Sequence, residues 1–152
     1  MPYRLILLDS NSIGMKQMKD RVFLDTNILI YSYSRTEPQK QIIAANLISE
    51  FNSVISTQVL NELVNIVTKK FNFNYSQAKE AVLECCRNNH LHINSQDTII
   101  RACEIASKYK FSFFDSAIIS AALESDCTIL YSEDMHQMNN IEKKLSIINP
   151  FS

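Results

Sequence analysis

Val22-Phe23-Leu24-Asp25-Thr26-Asn27-Ile28-Leu29-Ile30-Tyr31 is the stretch that decides the fold. Three consecutive apolar residues suit a short buried strand, an acid stands at its end, and an apolar helical pattern follows from Ile28 to Tyr33. A wholly apolar strand that hands over directly to a helix belongs to a parallel sheet covered on both faces. The alternation continues outward. Thr36 and Gln39 have capping-box spacing around Pro38, and Ile43, Leu47 and Phe51 then recur every four residues, predicting a second helix. Val54-Ile55 reads as a strand, and Gln58 to Lys70 as a helix with Val59, Leu63 and Val67 on one side. Tyr75, Ala78, Val82 and Cys85 predict another helix, and Leu91 with Ile93 a third strand. Ile99, Ala102, Cys103, Ala106 and Tyr109 form an amphipathic stripe, and Phe113 to Leu123 is a nearly all-apolar helix. Thr128 to Tyr131 and Leu145 to Ile148 complete the strands. The expected architecture is α/β, a three-layer α/β/α sandwich around a mostly parallel central sheet.

The 152 residues suit one domain with one core. With 46% hydrophobic and 20% charged residues, extended disorder is not expected. The formal net charge of −1 supplies no global positive field, so any nucleic-acid binding must come from local patches or bound cations. Cys85, Cys86, Cys103 and Cys127 include no C-x-x-C pair, and His90, His92 and His136 no H-x-x-x-H pair, so no zinc site is expected. The cysteines read as buried, reduced thiols of a cytoplasmic protein. Apolar runs are too short for a membrane span, and Leu5 to Leu8 is too short for a signal-peptide core. Residues 1–20 read as an N-terminal extension that holds the only glycine, Gly14. Met15 and Met18 are alternative starts, which would make the residues before them non-native.

Four acids are candidates for chemistry. Asp25 ends the first strand, where open parallel sheets carry their ligand crevice, although capping of the next helix explains it equally well. Asp115 follows Ser112 with capping-box spacing, yet shares a face with Ile118, Ile119 and Ala122, a costly place for a charge without a partner. Glu62 lies at the border of an apolar stripe, as a solvated helix residue would. Asp134 follows the strand ending at Tyr131, where turn acids are common and Glu133 competes with it. If these edges converge, the clustered carboxylates need cations between them. Oxygen-only ligation selects Mg²⁺ or Mn²⁺, which can activate water for displacement at phosphorus.

The stretch 22–31 resembles the opening motif of PIN domains. Gln58-Val59-Leu60-Asn61-Glu62, Phe113 to Ala122, and Tyr131-Ser132-Glu133-Asp134-Met135 with the closing Ile148-Asn149-Pro150-Phe151 are similar to the later motifs. The acids stand in family order, 37, 53 and 19 residues apart. The resemblance, to VapC-like toxins in particular, implies a PIN-like nuclease domain over residues 21–152. It implies an Mg²⁺- or Mn²⁺-dependent endoribonuclease with Asp25, Glu62, Asp115 and Asp134 as catalytic and metal-binding acids, supported by Asn27 and Ser132. It further implies a transfer- or ribosomal-RNA substrate, an antitoxin partner and a homodimer. Ser116 and Ser120 stand where alanine is frequent, and the segment after Asp134 lacks a usual glycine. Asp9-Ser10-Asn11 imitates Asp25-Thr26-Asn27, but Gly14 and two lysines follow it instead of a helix pattern. Haloacid-dehalogenase-like phosphatases also open on a strand ending in Asp, but need a second Asp where Asn27 stands. The alternative is a degenerate PIN domain that binds RNA or protein without catalysis. Lys69, Lys70, Arg101, Lys108 and Lys110 are available for phosphate contact but read first as solvated helix ends, and Tyr31 and Tyr33 could stack on bases, although helix packing explains them equally well.

Overall fold

The computed structural model describes residues 20–152; the expectations about an extension and about Asp9-Ser10-Asn11 fall outside these residues or at their first position. Among the described residues the chain forms β1 (Arg21–Leu24), α1 (Thr26–Ser32), α2 (Pro38–Glu50), β2 (Asn52–Ser56), α3 (Thr57–Lys70) and α4 (Tyr75–Asn88). There follow β3 (His90–His92), α5 (Gln96–Tyr109), α6 (Phe113–Glu124), β4 (Ile129–Tyr131), β5 (Met138–Ile141) and β6 (Leu145–Ile148). The sheet order is β3-β2-β1-β4-β6-β5, parallel except for β5, which runs antiparallel to β6. From β1 the chain builds outward to β2 and β3, then returns to the other side of β1 for β4. Right-handed crossovers in opposite directions put α1–α4 on one face and α5–α6 on the other, which makes the three layers.

The core explains the sequence pattern. Val22, Phe23 and Leu24 of β1 and Val54 and Ile55 of β2 are all buried, because helices cover both faces of these inner strands. Among the described residues no helix is long and apolar enough to cross a membrane.

Several local expectations need correction. The Thr36–Gln39 box does not form; Glu37 is the N-cap without a side-chain bond, and Ser34 Oγ accepts the amides of Thr36 and Glu37 at 3.3 and 3.1 Å. In α5 the inner face is Thr98, Ala102 and Ile105, while Ile99 and Cys103 face outward. Thr98 tolerates the interior because its hydroxyl donates to Glu124 at 2.9 Å. Cys85 and Cys127 are buried thiols, but Cys86 is half-buried and Cys103 exposed. Leu91 lies in β3 but is 39% exposed, and Ile93 lies beyond that edge strand. Strand β5, with its polar Asn139-Asn140, is an addition at the far edge. Its hairpin to β6 places Asn140, Glu142 and Lys143 at positive φ, in the left-handed region that favours glycine.

Candidate active site

Strands β1 and β4 are neighbours from which the chain departs in opposite directions, the switch point at which α/β sheets open a crevice. Their register pairs Leu24 with Tyr131, and the Asp25 amide continues the ladder to the Tyr131 carbonyl at 3.0 Å. Asp25 and Ser132 therefore emerge side by side. Asp25 is 7% exposed. Its Oδ1 accepts the Thr26 amide at 2.7 Å, and its Oδ2 accepts the Ser132 hydroxyl at 2.7 Å. Ser132 Oγ in turn accepts the Met135 amide at 3.2 Å. Asp25 is thus both the N-cap of α1 and a buried carboxylate, so the two readings of it coexist. Burial lifts its pKa from 3.8 to about 6 despite those two bonds, and the charges of Glu62 and Asp115 push the same way.

Glu62 comes from α3, which begins directly where β2 ends; Ser56 caps it by accepting the Val59 amide at 3.4 Å. The Glu62 carboxylate is half-buried and accepts Thr26 Oγ1 at 2.6 Å and Gln58 Nε2 at 3.0 Å. Asp115 lies in the first turn of α6, where Ser112 Oγ accepts its amide at 3.2 Å. The reciprocal bond that would close a capping box is seen at Asn74 and Ser95 but not at Ser112. Ile118, Ile119 and Ala122 are buried as expected, but α6 is buried all round from Ser116 to Leu123, so that face does not single out Asp115. Its own half-buried carboxyl is nevertheless raised, first by burial and then by Glu62 and Asp134. Asp134 is exposed beyond β4 and accepts Asn27 Nδ2. Glu133 is committed elsewhere, to Tyr31 OH at 2.8 Å and Lys40 Nζ at 3.0 Å.

The four acids of the sequence reading thus gather at one sheet edge, with Asn27 and Ser132 bonded to two of them. Thr26 and Gln58 were not anticipated. Gln58 was legible as the i−4 neighbour of Glu62, and Thr26 lay inside the opening motif. Among the described residues no three His, Cys, Asp or Glu side chains converge closely enough to hold a metal ion as placed. The donors are nevertheless all carboxylate oxygens, and their mutual repulsion is the kind a hard divalent cation offsets. The residues fit such an ion by chemistry, and chelation would need these carboxylates to draw closer together than they stand.

Ser132→Ala removes a donor from the ionised form of Asp25. Its titration, followed by carboxyl NMR in chelator, is expected to move above about 6. The loss of two bonds made by this fully buried hydroxyl should cost ~1–3 kcal/mol in denaturant unfolding.

The combination is an α/β fold with four carboxylates placed around its switch point. The PIN domain model matches residues 22–144, and the chain belongs to that family. A comparison with curated proteins finds no match. Among solved structures, the chain is similar to the sarcin-ricin loop cleaving toxin VapC20 of Mycobacterium tuberculosis, at 16% identity and a TM-score of 0.60, covering 74% of this chain and 89% of that one. It is similar to VapBC2 of Rickettsia felis, bound to a promoter DNA fragment, at 18% identity and a TM-score of 0.59, covering 85% and 98%. A toxin–antitoxin complex from Klebsiella pneumoniae matches at 19% identity and a TM-score of 0.59, covering 85% and 97%. At these identities the likeness is one of fold.

Proposed function

We propose that this chain is a metal-dependent endoribonuclease, the toxin of a type II toxin–antitoxin pair, with residues 21–152 as its nuclease domain. The observation that carries this reading is the placement of Asp25, Glu62, Asp115 and Asp134 around the β1/β4 switch point, where Asp25 and Asp115 are raised first by burial and then by neighbouring carboxylates. Family membership and the shared fold support it. The four acids would hold Mg²⁺ or Mn²⁺, which supplies Lewis acidity toward water and toward the scissile phosphodiester. Asp25 is the fixed member, held by Thr26 and Ser132, while Asn27 holds Asp134 at the open side. Glu62 and Asp115 reach in from separate helices, so the crevice can present oxygens from several directions. Hydrolysis adds water across the P–O bond and leaves two RNA ends.

The substrate we assign is a transfer or ribosomal RNA, by analogy with the mycobacterial toxin described as cleaving the sarcin-ricin loop. An antitoxin segment would silence the crevice, and the toxin would act in the cytoplasm as a homodimer. In the test, the protein is induced in a bacterial host beside Asp25→Asn and total RNA is mapped for new ends. New ends are expected only with the unaltered chain. In vitro, chelator should abolish cleavage and added Mg²⁺ or Mn²⁺ should restore it. RNA left uncut across a broad panel, with metal present and antitoxin absent, would assign the crevice to binding alone.

A further inference from the structure

Beside the acids, and sharing Asn27 and Asp134 with them, lies a cleft of about 290 Å³ whose other walls the proposed chemistry does not use. One wall is a face of α1, where Asn27, Ile30 and Tyr31 stand at i, i+3 and i+4. The other is a face of α3, where Ile66 and Lys70 continue the row that Glu62 begins, at i+4 and i+8. That row leads from a candidate metal acid to a cation over roughly 12 Å, eight residues at ~1.5 Å each. Asp134 closes the cleft at the acidic end. Phe71 stands at the far end, 48% exposed. The helix exit puts it there. Asn72 turns the chain with a left-handed φ of 56°, and Phe73 N–H donates to the Val67 carbonyl at 3.0 Å. Phe73 then packs against the core while Phe71 stays outside it.

We propose that this cleft receives an unpaired nucleotide of the RNA next to the scissile phosphate, with its base stacked on Phe71 and its phosphate on Lys70. The proposal rests on the nuclease reading. Its chemistry is an aromatic face and a single cation joined to a carboxylate crevice, the combination that binds single-stranded nucleic acid irrespective of sequence. Glu133 also lines the cleft, but Lys40 already neutralises it at 3.0 Å. Lys70 has no carboxylate partner among the described residues, so its charge is available to phosphate. The volume lies just below the roughly 300–1,000 Å³ of ligand pockets, which suits one nucleotide unit and not a folded element. Only an unpaired base can offer its face to Phe71, so the cleft selects loops and single strands over duplex.

The sequence has no tryptophan, so Phe71→Trp creates a lone indole at the stacking position. A mixed-sequence single-stranded octaribonucleotide, mixed with this variant and Mg²⁺ in a stopped-flow cell, is expected to quench its fluorescence. A duplex of equal length is not. Phe71→Leu should keep the melting temperature and weaken octamer binding about 5- to 150-fold, the equivalent of ~1–3 kcal/mol of stacking. Lys70→Ala should flatten the salt dependence of binding by about 0.7 in log–log slope. An octamer bound normally by Phe71→Leu, with no quench in Phe71→Trp, overturns the subsite and leaves the nuclease reading standing. Equal quenching by duplex also overturns it. An unaltered chain that neither binds nor cuts RNA removes the nuclease reading, and the subsite with it.

Discussion

Asp25→Asn is expected to melt above the unaltered chain when both are held in chelator at pH 7 or higher. The reason is the sign of the Asp25 shift. Its carboxyl titrates at about 6 in the folded protein against an ordinary 3.8, so the native state binds that proton more tightly than the unfolded chain does. The associated stability is fully present below pH ~4 and is lost as the pH rises through about 6. Over that window the loss is ~3 kcal/mol, an order-of-magnitude figure applied to a residue only 7% exposed. Asparagine keeps the volume and never ionises. It gives back part of the gain, because its NH₂ must replace a carboxylate oxygen that now accepts from Ser132 or Thr26. A net advantage of ~1–3 kcal/mol remains, or about 3–10 °C for a domain of this size. Below pH 4 the order should vanish or reverse. Saturating Mg²⁺ or Mn²⁺ should also reverse it at pH 7, since a ligand at ~1,000 times its Kd adds ~4.1 kcal/mol to the form that binds it. A variant that melts lower at every pH, with or without cation, would show that an ionised Asp25 costs the fold nothing.

Local features of this site were legible in the sequence; long-range ones were not. Val22 to Leu24 followed by Asp25 and a helix announces a covered parallel strand, and the structure has that strand as the sheet's inner β1. The sequence does not announce that β4 returns beside β1, and that return is what turns Asp25 and Ser132 into neighbours 107 residues apart. The Thr26–Glu62 bond, across 36 residues, depends likewise on how α1 and α3 pack. Helix α5 was misread because periodicity weighs apolarity alone. Thr98, satisfied by Glu124, takes an inner position that Ile99 would have filled on hydrophobicity. Strand β5 was missed because an edge strand need bury only part of itself, here Ile141, so its pattern resembles a polar loop. Glu133 and Asp134 are adjacent acids that sequence cannot separate. Lys40, nearly a hundred residues earlier, engages the first and leaves the second at the crevice.

Asp115→Asn is the substitution expected to damage cleavage most at least cost to the fold. Asp115 is the acid whose carboxyl is raised, after burial, by both Glu62 and Asp134, so it stands between the other candidate ligands. Its backbone role is independent of the change, because Ser112 caps the helix through the Asp115 amide. The amide variant also relieves a half-buried, raised carboxyl, so stability in chelator should hold or rise slightly. Groups that merely orient a metal ligand cost roughly 10- to 100-fold when replaced, so loss of a ligand should cost at least ~100-fold in single-turnover RNA cleavage. Two further readouts separate lost chelation from a general defect. The melting rise that Mn²⁺ gives the unaltered chain should shrink or disappear, and Mn²⁺ affinity by calorimetry should fall in parallel with activity. RNA affinity at the Phe71 end of the cleft should change little, since Lys70 and Phe71 lie at the opposite end of the α3 row. Full cleavage by Asp115→Asn, with its cation response intact, would mean that the carboxylates meet at this edge for structural reasons and that the reaction belongs elsewhere on the molecule.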